Sequence, residues 1–298
     1  MYLYKYTTAE TFSKIMEYGT LKVSGIEEFN DILECALPVK CDDFEKMAYL
    51  KYKKLFETSV PENDEIAALI KKIKTDASKD VDAFAKSMGS LATNVYKYVF
   101  YKLSKDWEDI KKELRILCLT ECENSPYMWG HYAEKSKGVR LFIDTSKIVH
   151  DSKLKKVIYK DEGTWFYDDF LYQTLIYKCG GQDFLKDEKL MEKMKKHIVA
   201  LFGVNAIRKS KEWDKEKEWR IVMLEDDKNI IHRNGADFIN LPKDALREVV
   251  LGVKYDSGDG VAIRNLKEKY PDARIFSDRV VDGKLESQMD ELIGFVQP

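Results

Sequence analysis

The densest group of side chains able to do chemistry lies in Lys209 to Leu224, KSKEWDKEKEWRIVML, where two tryptophans, an E-x-E pair and an arginine lead into an apolar run. If Lys217 to Leu224 is a strand, its side chains alternate between faces. Glu216, Glu218 and Arg220 then share one face, and Trp219, Ile221 and Met223 the other. Two carboxylates beside an arginine at a strand entrance can grip a sugar hydroxyl, a proton or a metal. The competing reading is a solvated, charged edge strand. Trp213 and Trp219 read as packing anchors rather than base-stacking platforms. Lys209, Lys211, Lys215 and Lys217 read as a solvated run, with phosphate contact the alternative.

Three further groups stand out. Tyr4, Lys5 and Tyr6 belong to an aromatic-rich first strand, and Asn30 and Asp31 to a polar turn with Glu34 close behind. Trp129, His131 and Tyr132 fall on a short helix expected over Tyr127 to Ser136, started by Ser125-Pro126 and stopped by Gly138. On it Trp129 and Tyr132 share a face. Trp129 alone would pass as a core anchor and His131 as a solvent-facing imidazole. There is no P-loop, G-x-G-x-x-G, G-x-S-x-G or H-E-x-x-H, which disfavours hydride chemistry on a nucleotide fold.

The elements that must position these groups are short. The pattern predicts a strand over Leu3 to Tyr6, a helix from Ala9 to Tyr18 closed by Gly19, and a strand around Leu21 and Val23. Apolar residues at helical spacing mark an insert over about 42–108, whose third helix covers Val81 to Lys105 beside Tyr96, Tyr98 and Tyr101. Strands follow at Leu114 to Thr120, Val139 to Ile143 and Val157 to Tyr159, then helices at Trp165 to Tyr177 and Lys189 to Arg208. The last third gives strands at Phe238 to Leu241, Leu246 to Val253, Ala273 to Phe276 and Leu285 to Gln288, with a helix over Asp256 to Tyr270. With no repeating βαβ unit, this is an α+β chain: a mixed or antiparallel sheet of short strands, flanking helices and a helical insertion in a single domain, 1–298.

Fifty basic residues against fifty-two acidic ones leave a net charge of -2, so no global basic field draws in nucleic acid. Five cysteines without C-x-x-C and four histidines form no zinc pattern, and no metal is expected. No signal-length or bilayer-length apolar run occurs, and the expectation is a cytoplasmic protein with reduced thiols and no membrane association.

The succession LYKYT, GTLKVSGIEEFNDILE, a CLT strand, MWGHYAEKSKGVRLFID and KSKEWDKEKEWRI resembles the bacterial family labelled domain of unknown function 2971. Its usual asparagine-aspartate-proline turn departs here to FNDIL, with Ile32 in place of the proline. More distantly, the order of an aromatic or basic first strand, a glycine-closed helix, an aromatic middle element and a late E-x-E pair is similar to the ADP-ribosyltransferase superfamily, including members that modify nucleic acid. That resemblance implies NAD as substrate. It puts Glu218 at the late glutamate, which binds the ribose and stabilises the positive charge that builds as nicotinamide leaves, with Glu216 upstream. Tyr4, Lys5, Tyr6, Asn30, Trp129, Tyr132 and Arg220 become candidates to hold the dinucleotide, and His131 joins Glu218 and Glu216 as a catalytic candidate. Three functions stay open. The first is an NAD-consuming transferase or glycohydrolase, acting on a protein or nucleic-acid target or on water. The second is a non-catalytic recognition or sensor module in bacterial defence against phage, using the groove around Trp129 and His131. The third is a metal-dependent nuclease or hydrolase with Asp31, Glu34, Glu216 and Glu218 as oxygen ligands.

Overall fold

The computed structural model describes residues 1–31, 34–35, 44–57, 71, 75, 80–159, 203–256, 258 and 260–289. The chain divides into two compact units: Met1–Cys35, Lys111–Tyr159 and Ile207–Pro298 in the first, Ala36–Ile110 and Lys160–Ala206 in the second.

The first unit is built on an eight-stranded mixed sheet, and the fold class is α+β as expected. Its strands are β1 (Tyr2–Thr7), β3 (Leu114–Thr120), β4 (Val139–Asp144), β5 (Leu154–Lys156), β8 (Glu218–Leu224), β11 (Leu246–Leu251), β12 (Arg274–Val281) and β13 (Lys284–Met289). They lie in the order β13-β12-β11-β4-β1-β3-β8-β5, antiparallel except for β11 with β12. A second, antiparallel sheet contains β2 (Thr20–Val23), β10 (Ala236–Asn240) and β9 (Ile231–Arg233). A parallel pair joins β6 (Ile158–Tyr159) to β7 (Arg208–Lys209).

Alternation along the strands separates two faces. On one, Leu3, Leu117, Leu119, Leu141, Ile143, Ile221 and Val249 share a core with Phe12, Ile15 and Met16 of α1 (Ala9–Tyr18) and with Ile263 and Leu266 of α5 (Val261–Lys269). Helix α1 begins and ends where the sequence puts it: the Thr8 side chain accepts from the Thr11 N–H, and Gly19, at φ 67°, caps its end. On the other face Tyr6 and Val250 meet Met128, Trp129 and Ala133. Trp129 sits edge-on to Tyr6 at 5.1 Å and 89°.

The second unit contains α2 (Phe44–Glu57) and most of α3 (Val81–Glu113), within the expected insert. Helix α3 runs eight residues beyond its expected end at Lys105. Residues 58–70, the side chains of Tyr96, Tyr98 and Tyr101, the Trp165 to Tyr177 helix and the Lys189 to Arg208 helix up to residue 202 lie outside what the structure describes.

Two local expectations are corrected. The helix expected over Tyr127 to Ser136 is α4 (Pro126–His131), and Glu134, Lys135 and Ser136 follow with φ of 51°, 56° and 69°. Close approach dictates this exit: a Cβ on Gly138 would lie 2.0 Å from the Thr7 carbonyl oxygen, and one on Gly252 2.4 Å from that of Ser136. Likewise Glu216 is not on the strand with Glu218. It ends a 3₁₀ turn over Lys211–Glu216, and Lys217, at φ 43°, reverses the chain into β8.

Candidate functional site

A cleft of about 420 Å³ opens in the first unit, within the range of small-molecule sites. It lies where two strands part. β1 pairs with β3 at the single position Tyr4–Thr120, whereas β1 pairs with β4 along its whole length. Tyr4, Lys5 and Tyr6 all line the cleft, and so do the five consecutive residues Ile116 to Thr120. Strict alternation would hide every second one of these against an intact neighbour. Both strand margins are therefore exposed to the cleft, and the Lys5 ammonium reaches across to donate to the Cys118 carbonyl at 3.4 Å.

The floor comes from β8 and the turn before it. Antiparallel register places Glu218 opposite Thr120 and Arg220 opposite Cys118. The expectation of a solvated edge strand is overturned. β5 flanks β8 at Trp219 to Ile221, and Glu218 and Arg220 are buried. Lys209 is also buried rather than part of a solvated run, because the 3₁₀ turn folds the chain back and inserts its ammonium between the two glutamates. Its Nζ lies 2.7 Å from Glu216, 3.3 Å from Glu218 and 3.6 Å from Glu34. Arg220 holds both oxygens of Glu218, Nε to Oε1 at 2.8 Å and Nη2 to Oε2 at 3.3 Å, and ion-pairs with Glu34. The Glu218 N–H donates to the Tyr159 hydroxyl at 2.8 Å, and the Tyr132 hydroxyl donates to Glu216.

The electrostatics follow from burial and pairing. Burial pushes the Glu218 carboxyl above its usual range, with the Lys209 charge pulling the other way. Burial also disfavours the Lys209 ammonium, but Glu218 and Glu216 together outweigh it and raise its pKa. Burial lowers the Arg220 guanidinium to about 9, lowers Lys5, and raises the Tyr132 phenol, which Glu216 raises further. The Cys118 thiol is raised first by burial and then by the Glu218 charge.

The rim is looser. His131 is exposed, its ring 4.3 Å from Tyr127. Lys22 forms a half-exposed ion pair with Glu28. Thus Tyr4, Lys5, Tyr6, Asn30, His131, Tyr132, Glu216 and Glu218, drawn from separate stretches of sequence, line one cleft. Trp129 and Arg220 do not line it: Trp129 is packed beneath Tyr6, and Arg220 lies behind Glu218. Trp219 donates to Glu121 at 2.8 Å, and the Trp213 ring lies under Lys209 at 4.9 Å. Lining residues the sequence does not single out include Lys22, Phe29, Cys118 and Thr120, and Lys209 reads there as part of a solvated run. Cys118 and Thr120 follow from pairing two correctly expected strands, while the Lys209 contact depends on a reversal that KSKEWDKEKE does not announce.

Glu34, Glu216 and Glu218 do gather as oxygen ligands would, but the Lys209 ammonium already stands among them, so the set does not fit a metal ion. A second acidic group, Glu225, His232 and Asp237, surrounds Arg115, which pairs with both carboxylates. Among the described residues no helix is long and apolar enough to cross a membrane.

No curated protein and no solved structure matches the chain, so the resemblance to ADP-ribosyltransferases draws no support from relatives. Over residues 128–221, from helix α4 through Lys209, Glu216, Glu218 and Arg220 into β8, the chain matches the family described as Protein of unknown function (DUF2971).

Proposed function

We propose that the cleft is the active site of an NAD-consuming glycohydrolase or ADP-ribosyltransferase, with the Glu216–Glu218 pair as its charged floor. One observation carries this reading: the first strand, the Asn30 turn, the His131 helix and the E-x-E pair supply lining residues to a single cleft. Breaking the bond between nicotinamide and ribose leaves the bonding pair on the departing base and positive charge on the sugar. A carboxylate held rigidly in a water-poor site stabilises that charge without reorganising. Lys209 and Arg220 pair with the Glu218 carboxylate and oppose the cost of burying its charge. Tyr132 and His131 offer aromatic surface for the base, the Tyr4 ring being already stacked on Phe142 and covered by Arg140. Purified protein is expected to release nicotinamide from NAD, and Glu218→Gln to abolish release while circular dichroism stays native. Undiminished release by that variant would overturn the assignment.

A specific observation favours a second reading, a recognition module that binds without turnover. Both oxygens of Glu218 are already engaged by cations, which lowers its capacity to meet new positive charge. Saturable binding of NAD or ADP-ribose in calorimetry, with no nicotinamide released, is the outcome that selects it.

A further inference from the structure

We infer that Arg220 is a positioning residue that holds one wall of the cleft in register with its carboxylate floor; this rests on the cleft being the ligand site. Arg220 is fully buried and does not line the cleft, so it cannot act by touching a ligand there. Its guanidinium nevertheless contacts floor and wall together. Toward the floor, Nε and Nη2 engage the two oxygens of Glu218 at 2.8 and 3.3 Å. Toward the wall, Nη2 ion-pairs with Glu34, Nη1 lies 3.8 Å from the Cys35 sulfur, and the Phe29 ring lies 5.3 Å from Cζ. Phe29 and Glu34 themselves line the cleft. A planar fork holds these groups in a fixed mutual orientation, because its nitrogens are rigidly linked in one plane, whereas an ammonium is a point donor on a flexible stem. The position of the wall and the orientation of Glu218 are therefore set by one side chain.

Cys35 reports on this arrangement. It is 2% exposed, and burial pushes its thiol up to about 12, so intact protein at pH 8 should alkylate there very slowly. The test measures iodoacetamide labelling of the full chain by peptide mapping, without ligand. Arg220→Lys and Glu34→Gln should each speed Cys35 labelling at least tenfold, while Cys122, whose sulfur lies against the Lys215 and Glu216 carbonyls, keeps its wild-type rate. Glu34→Gln weakens the wall contact, along with the longer Lys209 pair at 3.6 Å, leaves Arg220 on Glu218, and serves if the arginine variant does not fold. Cys35 remaining protected in Glu34→Gln, or Cys122 accelerating in parallel with Cys35, overturns the inference. Because labelling uses no NAD, a wild type that releases no nicotinamide would refute the enzymatic reading and leave this result standing.

Discussion

Lys209 and Lys22 both line the cleft, one at its floor and one at its rim, and the fold treats them oppositely. The Lys209 side chain is 3% exposed and shared by three glutamates; that of Lys22 is 43% exposed and meets one, Glu28. The same division runs through the other lining residues. Glu216, Glu218 and Glu34 have their charge met by buried cations, whereas Lys5 is held by a backbone carbonyl and His131 leans on Tyr127. Ordering a floor of buried charge costs desolvation, which is offset only when every partner is in place. A rim left open costs nothing in the free protein and can exchange water for a ligand. The floor thus fixes where charge stands, and the rim is where a ligand is admitted.

The sharpest way to break this contrast is to remove each lysine. Lys209→Met leaves Glu216 and Glu218 buried beside an apolar chain, and should cost about 3–5 kcal/mol in urea denaturation. Lys22→Met breaks a half-exposed pair and should cost under about 1 kcal/mol. Equal losses would mean that the floor is solvated in solution and that the division does not exist.

Little in the sequence separates these two lysines. Both stand among charged residues, and burial of Lys209 follows from a 3₁₀ turn whose reversal is made by Lys217, a residue type that rarely takes positive φ. Helix α4 misleads in the same way: AEKS has good helix formers, yet Glu134, Lys135 and Ser136 turn left-handed because Gly138 and Gly252 must press against neighbouring backbone. What was legible is what local periodicity encodes. Leu114 to Thr120 is a strand and Ala9 to Tyr18 a helix because an apolar run and capped amphipathic spacing leave no other way to bury their side chains. The cleft itself is a tertiary fact. That β1 and β3 pair at Tyr4–Thr120 and then part is written in neither strand.

Alkaline pH should loosen the packing around both regions. Burial raises the Cys35 thiol, the Tyr4 phenol (Glu123 adding to it) and the Tyr270 phenol each to about 12. Unfolded, these groups release their protons near 9, 10 and 10. Between those values and 12 the folded chain binds more protons than the unfolded one, so stability falls as pH rises. It is fully present below about pH 9, and these groups add no dependence between pH 6 and 8. Arg220 and Lys5, both lowered by burial, act with the opposite sign, so the check is a difference: from pH 9 to 12 the Tyr270→Phe variant should lose less stability than the wild type, and an equal loss would contradict the burial of Tyr270.

The smallest expected effect on stability is at His131, and it isolates the rim from the helix that carries it. Two residues earlier on α4, Trp129 is 2% exposed beneath Tyr6, and Trp129→Ala should cost about 3–5 kcal/mol. His131 is exposed, with Tyr127 as its principal contact, so His131→Ala should change stability by less than about 0.5 kcal/mol. If the rim admits the ligand, the same change removes one wall of the opening. It should weaken binding of NAD or ADP-ribose by roughly fivefold, the value of one ordinary polar contact. Calorimetry paired with urea denaturation separates the cases. An unfolded His131→Ala would make the imidazole a packing group like Trp129, whereas unchanged affinity in a stable variant would move the ligand away from His131 and toward Lys5.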